Sequence, residues 1–491
     1  MKKILLKILA ALLLALLVLV AVLGVNMLTF SAPTYEKKQV KEQAIDPQAP
    51  QRLAQGVRLK TISTQDPSQT DFEVFKQYVR LLQDFYPKTH ATLTREVLGE
   101  SNLIFTWKGS DPSLKPALML GHMDVVPIEP KTLPEWTHPP FAGTLDAGFV
   151  WGRGTLDDKV NVQGILEATE ALIAQGFTPE RTLVFAFGQD EEVGGRRGAK
   201  LIAQRFKEQG TRFEFALDEG HVITRGIVPG VEQPVALIGL AEKGFVSVRM
   251  TVEGTGGHSS MPPPHSALGV LARAITRVED NQMPARLIGP SRRMFEEVGP
   301  HMGFVNKLAM ANLWLLEPVV LNLLESKPTT NATVRTTTAV TQAFGSAQDN
   351  ILPQRAQAVI NFRILPGDTI DSVLAHVNAV VDDQRVKVEA LPGFNTDPSR
   401  LSSDDTRAFA LLRQSVHAIW PDTHVAPSLT IAATDLRHYQ DVAQNSYRFS
   451  PIILGPQDTV RLHGVNERIP VKDYLDAIRF YVLVLKGAGS K

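Results

Sequence analysis

Four apolar segments of this sequence each run into histidine or acidic residues: "LGHMDVVP", "FVWGRGTLDDK", "TLVFAFGQDEEVGG" and "FEFALDEG". Between them, apolar residues recur at helical spacing, as in the stretch after Asp158. This alternation predicts an α/β fold with a mixed, largely parallel sheet. It predicts a helix over 72–85 and strands over 103–107, immediately before His122, over "TLVFAFG", and up to Leu217.

The polar residues that end these segments are expected to meet, because ligands bind at the carboxyl ends of strands in open α/β sheets. One acidic residue after a strand is typical of a turn or helix cap. Several carboxylates at one sheet edge would repel one another unless a cation balanced them. Since the chain has no cysteine, the metal ligands are histidine and carboxylate, which suit zinc, with Co²⁺ or Mn²⁺ as substitutes.

His122 and Asp124 stand two positions apart, so they share one side of an extended chain. We predict that His122 binds the metal and that Asp124 accepts the other imidazole N–H, which fixes the tautomer of the ring. Without the other three segments, a hydrogen-bonded structural pair would be the better interpretation.

Seven motifs, in this order, resemble the co-catalytic zinc metallopeptidases that include aminoacylase, carboxypeptidase S and glutamate carboxypeptidase. The motifs are "LGHMDVVP", "WGRGTLDDK", "DEEVGG", "ALDEG", "GTGGHSSMPP", "AATDLRHY" and "LHGVNERI". The resemblance runs from about residue 50 to the C-terminus and is greatest to the branch of carboxypeptidase S and the N-fatty-acyl-amino-acid synthase/hydrolase. It implies two Zn²⁺ per chain.

The resemblance implies a role for each residue of the metal centre. The ligands would be one histidine for each ion, a bridging aspartate and two further carboxylates: His122, His463, Asp157, Glu192 and Asp218. Glu219 is the alternate to Asp218, because neighbouring side chains point opposite ways if the strand continues through them. Relatives hold the peptide bond after the bridging aspartate in cis, so Asp157–Asp158 is expected to be cis.

The resemblance also implies catalytic and substrate-binding residues. Glu191 would be the general base, although a turn carboxylate exposed to solvent is its alternative. His258, on a glycine-containing loop, would stabilise the oxyanion, although histidine after two glycines is more often a turn residue. The carboxylate of the substrate would meet basic and amide groups, each more often a surface residue when taken singly: Arg363, Asn350 and Arg437.

Three lysines precede an apolar stretch from Ile8 to Val25, close to the ~20 residues that span a bilayer. This pattern predicts a membrane anchor over 1–32 with its lysines in the cytoplasm and the catalytic body outside it, periplasmic or extracellular. A cleaved signal segment, which would give a secreted protein, is the alternative. Residues 33–50 are polar and contain proline, which predicts a linker.

The alternating pattern that starts at Ala241 predicts an inserted α+β lid domain over 241–393. The catalytic domain would comprise 51–240 and 394–491. Within the lid, Met294 to Leu324 is unusually apolar. Its part from Phe304 to Leu324 could be a helix buried in the lid, a homodimer interface, or a surface that holds an acyl chain. Asn466 stands where many relatives carry aspartate.

The 51 basic and 51 acidic residues cancel, which argues against nucleic-acid binding. The resemblance implies a zinc-dependent hydrolase that cleaves, and in reverse forms, the amide bond of N-acyl amino acids, or that removes the C-terminal residue of small peptides. Its alternatives are a strict carboxypeptidase or dipeptidase on exported peptides and a non-catalytic binding protein on the same scaffold.

Overall fold

The structure of the protein is a computed structural model that describes residues 2–35 and 43–491. Its helices are α1 (Lys2–Thr29), α2 (Ala49–Val57), α3 (Phe72–Phe85), α4 (Pro87–Thr92), α5 (Lys159–Ala174), α6 (Ala199–Glu208), α7 (Ala267–Asp280), α8 (Gly289–Val298), α9 (Phe304–Ala311), α10 (Leu313–Glu325), α11 (Pro328–Val334), α12 (Ile370–Val381), α13 (Arg407–Ile419) and α14 (Val471–Gly489). Short 3₁₀ helices cover Pro67–Gln69, Pro130–Glu135, Glu191–Val193, Gly299–His301, Asp435–His438 and Thr459–Arg461.

The strands are β1 (Thr94–Leu98), β2 (Asn102–Trp107), β3 (Ala117–His122), β4 (Thr144–Asp146), β5 (Phe149–Trp151), β6 (Leu183–Gly188), β7 (Phe213–Asp218), β8 (Ile223–Thr224), β9 (Val235–Glu242), β10 (Gly244–Glu253), β11 (Gly257–His258), β12 (Thr337–Phe344), β13 (Ile351–Leu352), β14 (Arg355–Ile364), β15 (Val386–Ala390), β16 (His424–Thr430), β17 (Ala443–Arg448), β18 (Ile453–Leu454) and β19 (Arg468–Pro470). The predicted helix over 72–85 and the predicted strands β2, β3, β6 and β7 are confirmed.

The largest sheet has ten strands in the order β1-β2-β6-β3-β7-β17-β9-β8-β18, with β16 beside β9. Its centre, β6-β3-β7-β17, is parallel, and β1, β2 and β9 pair antiparallel with their neighbours. The predicted mixed, largely parallel sheet is therefore confirmed. The carboxyl ends of β3, β6 and β7 point the same way, as the prediction of a site at that edge requires.

The parallel strands are buried on both faces. Every residue of β3 and β6 is buried. Successive residues of β6 point to opposite faces, so Phe185 joins the core beneath α5 and α14 whereas Val184 joins the core beneath α6. A strand covered on both faces needs a continuous apolar run, and this is why these segments were recognisable in the sequence.

One of the four predicted strand ends lies elsewhere. The segment before Asp157 contains β5, which belongs to a separate antiparallel sheet in the order β19-β5-β4. Asp157 is therefore delivered by the turn over 152–158 and not by a strand of the main sheet. The prediction failed here because a three-residue strand carries too little pattern to reveal its partner.

The chain forms two compact units. Unit 1 comprises Met1–Ser31, Ala241–Leu401 and Leu429–Ala433, and unit 2 comprises Ala32–Leu240, Ser402–Ser428 and Thr434–Lys491. In unit 1, the antiparallel sheet β12-β14-β10-β15 packs its apolar face against α7 and α12. The predicted lid over 241–393 falls within unit 1. The predicted linker over 33–50 lies partly outside the described residues, and its last two residues begin α2.

Two apolar segments of unit 1 are exposed: α1, and the segment that contains α9 and α10. Helix α1 is long and apolar enough to cross a membrane, and its most apolar 18-residue window is not buried. Helix α9 has no buried residue, and α10 buries only Val320 and Leu324. The interpretation of 304–324 as a helix buried in the lid is therefore wrong, because α9 and α10 carry more apolar surface than unit 1 covers.

Candidate metal centre

Five backbone segments of unit 2 bring histidine and carboxylate groups together, and the last of them is the loop of His463 after the 3₁₀ helix Thr459–Arg461. His122 ends β3, Glu191 and Glu192 follow β6, and Glu219 follows β7. Asp157 comes from the turn after β5, and the peptide bond Asp157–Asp158 is cis, as predicted.

Asp157 lies between the two histidines. Its Oδ1 is 2.9 Å from His122 Nε2, and its Oδ2 is 3.0 Å from His463 Nε2. The Nε2 of His463 is also 3.3 Å from a carboxylate oxygen of Glu192. Two groups with the geometry of a metal site result: His122, Asp157 and Glu219, and Asp157, Glu192 and His463. A carboxylate shared in this way is the arrangement expected of a bridging ligand.

The structure favours Glu219 over Asp218, which the sequence analysis preferred. Strand β7 continues through Asp218, whose carbonyl oxygen accepts a hydrogen bond from Phe449 N at 2.8 Å. The two neighbouring side chains therefore point to opposite sides, and Glu219 is the one that lies beside His122 and Asp157. The sequence could not show where β7 ends, so it could not choose between them.

Asp124 is completely buried and contacts two parts of the centre. The Nδ1 of His122 lies 3.1 Å from the carbonyl oxygen of Asp124 and 3.3 Å from its Oδ1. The same carboxylate accepts hydrogen bonds from the amides of Glu191 and Glu192, each at 3.1 Å, and from the hydroxyl of Ser63. Asp124 therefore orients His122 and also fixes the segment that carries both glutamates.

Negative charge dominates the centre. Hydrogen bonds to Asp157 and Glu192 raise the pKa of His463 to about 10. Burial lowers the pKa of His122, but Asp124 and Asp157 outweigh it and hold that pKa well above its usual range. Burial together with Asp157 raises the pKa of the Glu219 carboxyl. The carboxylates therefore favour the protonated, positively charged form of both histidines. A divalent cation bound at the same place would compensate the same negative charge.

The donor set therefore fits a pair of zinc ions. It consists of imidazole nitrogens and carboxylate oxygens, with one carboxylate common to both groups. Oε1 of Glu192 is buried and has no hydrogen-bond partner among the described residues. A buried oxygen without a donor is unfavourable, and a cation bound there would satisfy it.

Glu191 lies half-buried beside these groups. Burial raises the pKa of its carboxyl well above the usual range; the charge of His122 opposes this shift, and those of Asp435 and Glu192 add to it. Arg437 lowers the same pKa, so it lies within electrostatic reach of Glu191. Glu191 belongs to neither of the two metal groups.

A buried ion pair connects two of the loops that carry ligands. The Arg153 guanidinium pairs with the Glu467 carboxylate and donates to the carbonyl oxygen of His463 at 2.9 Å. The other oxygen of Glu467 accepts from the amides of Gly154 and Leu156 at 2.9 and 2.8 Å. The pair therefore holds the turn before Asp157 against the loop of His463. The sequence analysis missed both residues, although they stand inside two of the quoted motifs.

Asp158 is a further residue of the centre whose role was not predicted from the sequence. Its carboxylate accepts from the amide of His122 at 3.1 Å and from the side-chain amide of Asn161. Asn161 in turn accepts from the hydroxyl of Tyr481 at 2.8 Å. The signal was the second aspartate of "TLDDK", which the sequence analysis left without a role.

The structure explains the asparagine at position 466. Asn466 has a φ of 59°, a left-handed conformation that asparagine adopts more readily than most residues. Its Oδ1 accepts from the amide of Thr137 at 2.7 Å, and its Nδ2 donates to the carbonyl oxygen of Glu135 at 3.2 Å. An ionised aspartate could accept the first bond but could not donate the second.

The remaining predicted site residues lie in unit 1. His258 is exposed on β11, and the amide of the next residue donates to the carbonyl oxygen of Asn350 at 2.9 Å. The structure therefore brings His258 and Asn350 together. Arg363 lies near the other end of β14, where its guanidinium stacks 4.8 Å from the ring centre of Phe245. Burial lowers the pKa of Arg363.

Comparisons with known proteins agree with the resemblance. The model of peptidase family M20/M25/M40 matches residues 118–487. A probable carboxypeptidase S-like 2 of Dictyostelium discoideum is 40% identical over 477 residues, which cover 94% of this chain and 91% of that protein. An N-fatty-acyl-amino acid synthase/hydrolase of Danio rerio is 39% identical over 435 residues, which cover 88% and 84%. The crystal structure of an M20 family metallo-carboxypeptidase from Sulfolobus solfataricus has a similar fold, with a TM-score of 0.66, 17% identity, and coverage of 91% of this chain and all of that one.

Proposed function

The chain belongs to peptidase family M20/M25/M40, and from this membership we propose that it is a zinc-dependent hydrolase acting on N-acyl amino acids. It would cleave, and in the reverse direction form, the amide bond between the acyl group and the amino acid. One observation carries the proposal: the carboxylate of Asp157 has a histidine on each oxygen, beside Glu191. The named activity of the Danio rerio relative supports the substrate class.

We assign the metal ligands from the two groups described above. His122, Asp157 and Glu219 would hold one zinc, and Asp157, Glu192 and His463 the other. Zinc bound there would lower the pKa of a coordinated water and polarise the scissile carbonyl. The chain's own residues would place the ligands, supply the proton carrier and position the substrate.

Glu191 would accept the proton of the attacking water and pass it to the nitrogen of the leaving amine. Its backbone amide donates to Asp124 at 3.1 Å, and the same carboxylate contacts His122, so the backbone that carries the Glu191 carboxyl is tied to His122. A raised pKa suits this role, because the carboxyl has to bind the proton and then release it.

His258 would stabilise the oxyanion. Its Nδ1 accepts a hydrogen bond from the amide of Ser260 at 3.1 Å, so the neutral ring carries its proton on Nε2. An N–H of this kind is the donor that the developing oxyanion requires. Arg437 would bind the free carboxylate of the substrate, where an arginine can pair with both oxygens. Asn350 and Arg363 stay predictions for the same carboxylate, and because they lie at opposite ends of β14, only one of them can serve it within one chain.

A strict carboxypeptidase or dipeptidase is the second candidate, because the Dictyostelium discoideum relative is named a probable carboxypeptidase S-like protein. Both activities need the same metal centre and the same carboxylate-binding groups. They differ in what lies on the acyl side of the scissile bond. The alternative of a non-catalytic binding protein is wrong, because the chain belongs to a peptidase family and its relatives are named as enzymes.

The deciding experiment is hydrolysis of a panel of N-acyl amino acids and dipeptides by the zinc-loaded protein, with Glu191→Gln as the control. We expect the highest kcat/KM on N-acyl amino acids and loss of turnover in the control. Higher kcat/KM on dipeptides would favour the second candidate. Two bound zinc ions without turnover on any amide would contradict the proposal.

A further inference from the structure

One side of the apolar helix α1 packs within unit 1. Along most of its length α1 is exposed, but near its end a set of half-buried residues recurs at helical spacing: Leu19, Leu23, Asn26, Met27 and, just after the helix, Phe30. The ring of Phe30 and the side chain of Met310 both lie against Gly299, so closely that a Cβ at Gly299 would be 2.9 Å from the ring and 3.0 Å from Met310. Helix α1 is therefore docked onto the segment that contains α9.

Polar contacts fix this docking. Asn312, between α9 and α10, is completely buried. Its Nδ2 donates to the carbonyl oxygen of Leu23 at 3.1 Å, and its Oδ1 accepts from Asn26 at 2.9 Å. The indole of Trp314 donates to the same Oδ1 at 3.3 Å. A buried amide paired across two apolar helices specifies one arrangement.

Helix α10 presents an apolar face away from unit 1. The face consists of residues at helical spacing, and asparagine is its only polar member: Trp314, Leu315, Pro318, Val319, Asn322 and Leu323. Trp314 and Val319 are 63% and 64% exposed. The two carboxylates of α10 are withdrawn from this face, since Glu317 pairs with Arg292 at 2.8 Å and Glu325 pairs with Arg335 at 2.6 Å. The face therefore carries no charge.

The position of the docking along α1 indicates what covers this face. The apolar stretch Ile8 to Val25 is about 27 Å long at ~1.5 Å per residue, close to the ~30 Å of a bilayer core. If Val25 lies at the outer boundary of the hydrocarbon core, Leu19, six residues earlier, lies about 9 Å inside that core. A segment docked on residues 19–30 of a spanning α1 enters the outer leaflet together with it.

We propose that α9 and α10 insert into the outer leaflet of the membrane that α1 spans, with the apolar face of α10 against lipid. The amphipathic tryptophan at the start of α10 suits the headgroup level. The ligand is a lipid bilayer, and α1, Asn312 and α10 form one membrane-embedded element. This inference is independent of the catalytic proposal, because it concerns only unit 1 and its contact with lipid.

The absence of cysteine allows a direct test on the full chain. Single cysteines replace Trp314 or Val319, and each variant is labelled with a bimane fluorophore and reconstituted into vesicles of phosphatidylcholine and phosphatidylglycerol. Leu16→Cys reports a site within α1, and Val97→Cys is the matched control, an exposed apolar residue on β1 of unit 2. Quenching by doxyl-labelled lipids is compared with quenching by aqueous iodide.

We expect the labels at 314 and 319 to behave like the label at 16, with several-fold stronger quenching by the doxyl lipids than at 97 and protection from iodide. Iodide quenching at 314 and 319 as strong as at 97 would overturn the proposal. Protection of the bimane labels from both quenchers would also overturn it if a pyrene label on the same cysteine at 319 showed excimer emission. A second copy of the chain would then cover the face. If no doxyl lipid quenched the label at 16, α1 would not lie in the bilayer, and the proposal would be overturned.

Discussion

Glu191 and Glu192 are neighbours in the chain, yet we propose different tasks for them. Glu192 lies 3.3 Å from His463 and belongs to a ligand group, whereas Glu191 belongs to neither group. Glu191→Gln should therefore keep both metal ions and lose about 10²–10⁴-fold in kcat, the usual contribution of a general base. Metal content and kcat of the purified variant are the measurements.

His463→Ala provides the contrast to Glu191→Gln. It removes a ligand, so metal content should fall by one ion per chain. Near-normal turnover in Glu191→Gln would refute its role as base, and an unchanged metal content in His463→Ala would show that the ligand lies elsewhere.

The buried pair of Arg153 and Glu467 should matter for both stability and metal affinity. Glu467→Gln leaves the guanidinium uncompensated, which costs about 3–5 kcal/mol of folding free energy for a buried pair. It also loosens two ligand loops, for which a 10–100-fold loss of zinc affinity is the usual size. Urea unfolding and competition with a chromogenic chelator measure the two effects.

Glu96→Gln is the matched control for Glu467→Gln, because Glu96 forms an exposed pair with Arg205 at 3.1 Å. A pair of this kind contributes about 0–1 kcal/mol. If the two variants lost the same stability and Glu467→Gln kept full zinc affinity, the positioning role of Glu467 would be wrong.

At the residue scale, the sequence predicted most groups that the structure gathers in the centre. Histidine and carboxylates at the ends of apolar strands are visible as a pattern, so His122 and the carboxylates after β6 could be found. The choice between Asp218 and Glu219 could not, because it depends on the residue at which β7 ends. The contacts of Arg153 with the loop of His463 depend on the pairing of β5 with β19, which local sequence does not encode.

At the scale of elements, strands buried on both faces were the easiest to predict, since their apolar runs are continuous. The sheet to which the short strand β5 belongs and the start of α2 at Ala49 were not predicted, because short elements take their form from distant partners. The apolar segment around α10 was recognised, but its environment was open between burial in the lid, a second copy and an acyl chain. Only the exposure of its residues removed the first of these.

The acyl chain of the substrate should affect turnover, since each buried methylene contributes about 0.8 kcal/mol. We expect kcat/KM to rise severalfold or more from acetyl to palmitoyl amino acids. Because we assign Trp314 to lipid, Trp314→Ala should leave this dependence on chain length unchanged in detergent solution. A flat or falling series would contradict an acyl-binding surface anywhere in the protein.

Trp314→Ala could instead abolish the rise of kcat/KM with acyl chain length. The exposed face of α10 would then hold the acyl chain, as the sequence analysis had considered. Leu145→Ala, at an exposed apolar position on β4, controls for a nonspecific effect of removing surface.

At the scale of the whole molecule, the ligand groups come entirely from unit 2, so metal binding should stabilise that unit selectively. A ligand at 1,000 times its Kd stabilises the folded state by about 4 kcal/mol. Chelation should therefore lower the Tm of the calorimetric transition of unit 2 by several degrees, and zinc should restore it.

The transition of unit 1 is the internal control for this measurement, and His463→Ala should show a smaller shift on chelation. An equal shift in both transitions would indicate that the metal holds the units together or binds elsewhere. No shift in either transition would contradict the metal centre itself.

Asp124 also limits how the enzyme can be re-engineered. One carboxylate holds the ring of His122 and the amides of Glu191 and Glu192. Metal preference and proton transfer are therefore not separately tunable at this position, because any replacement changes both together. Directed evolution toward another metal should accept substitutions at exposed neighbours long before it accepts one at Asp124, and a variant selected there would need simultaneous changes in the loop after β6.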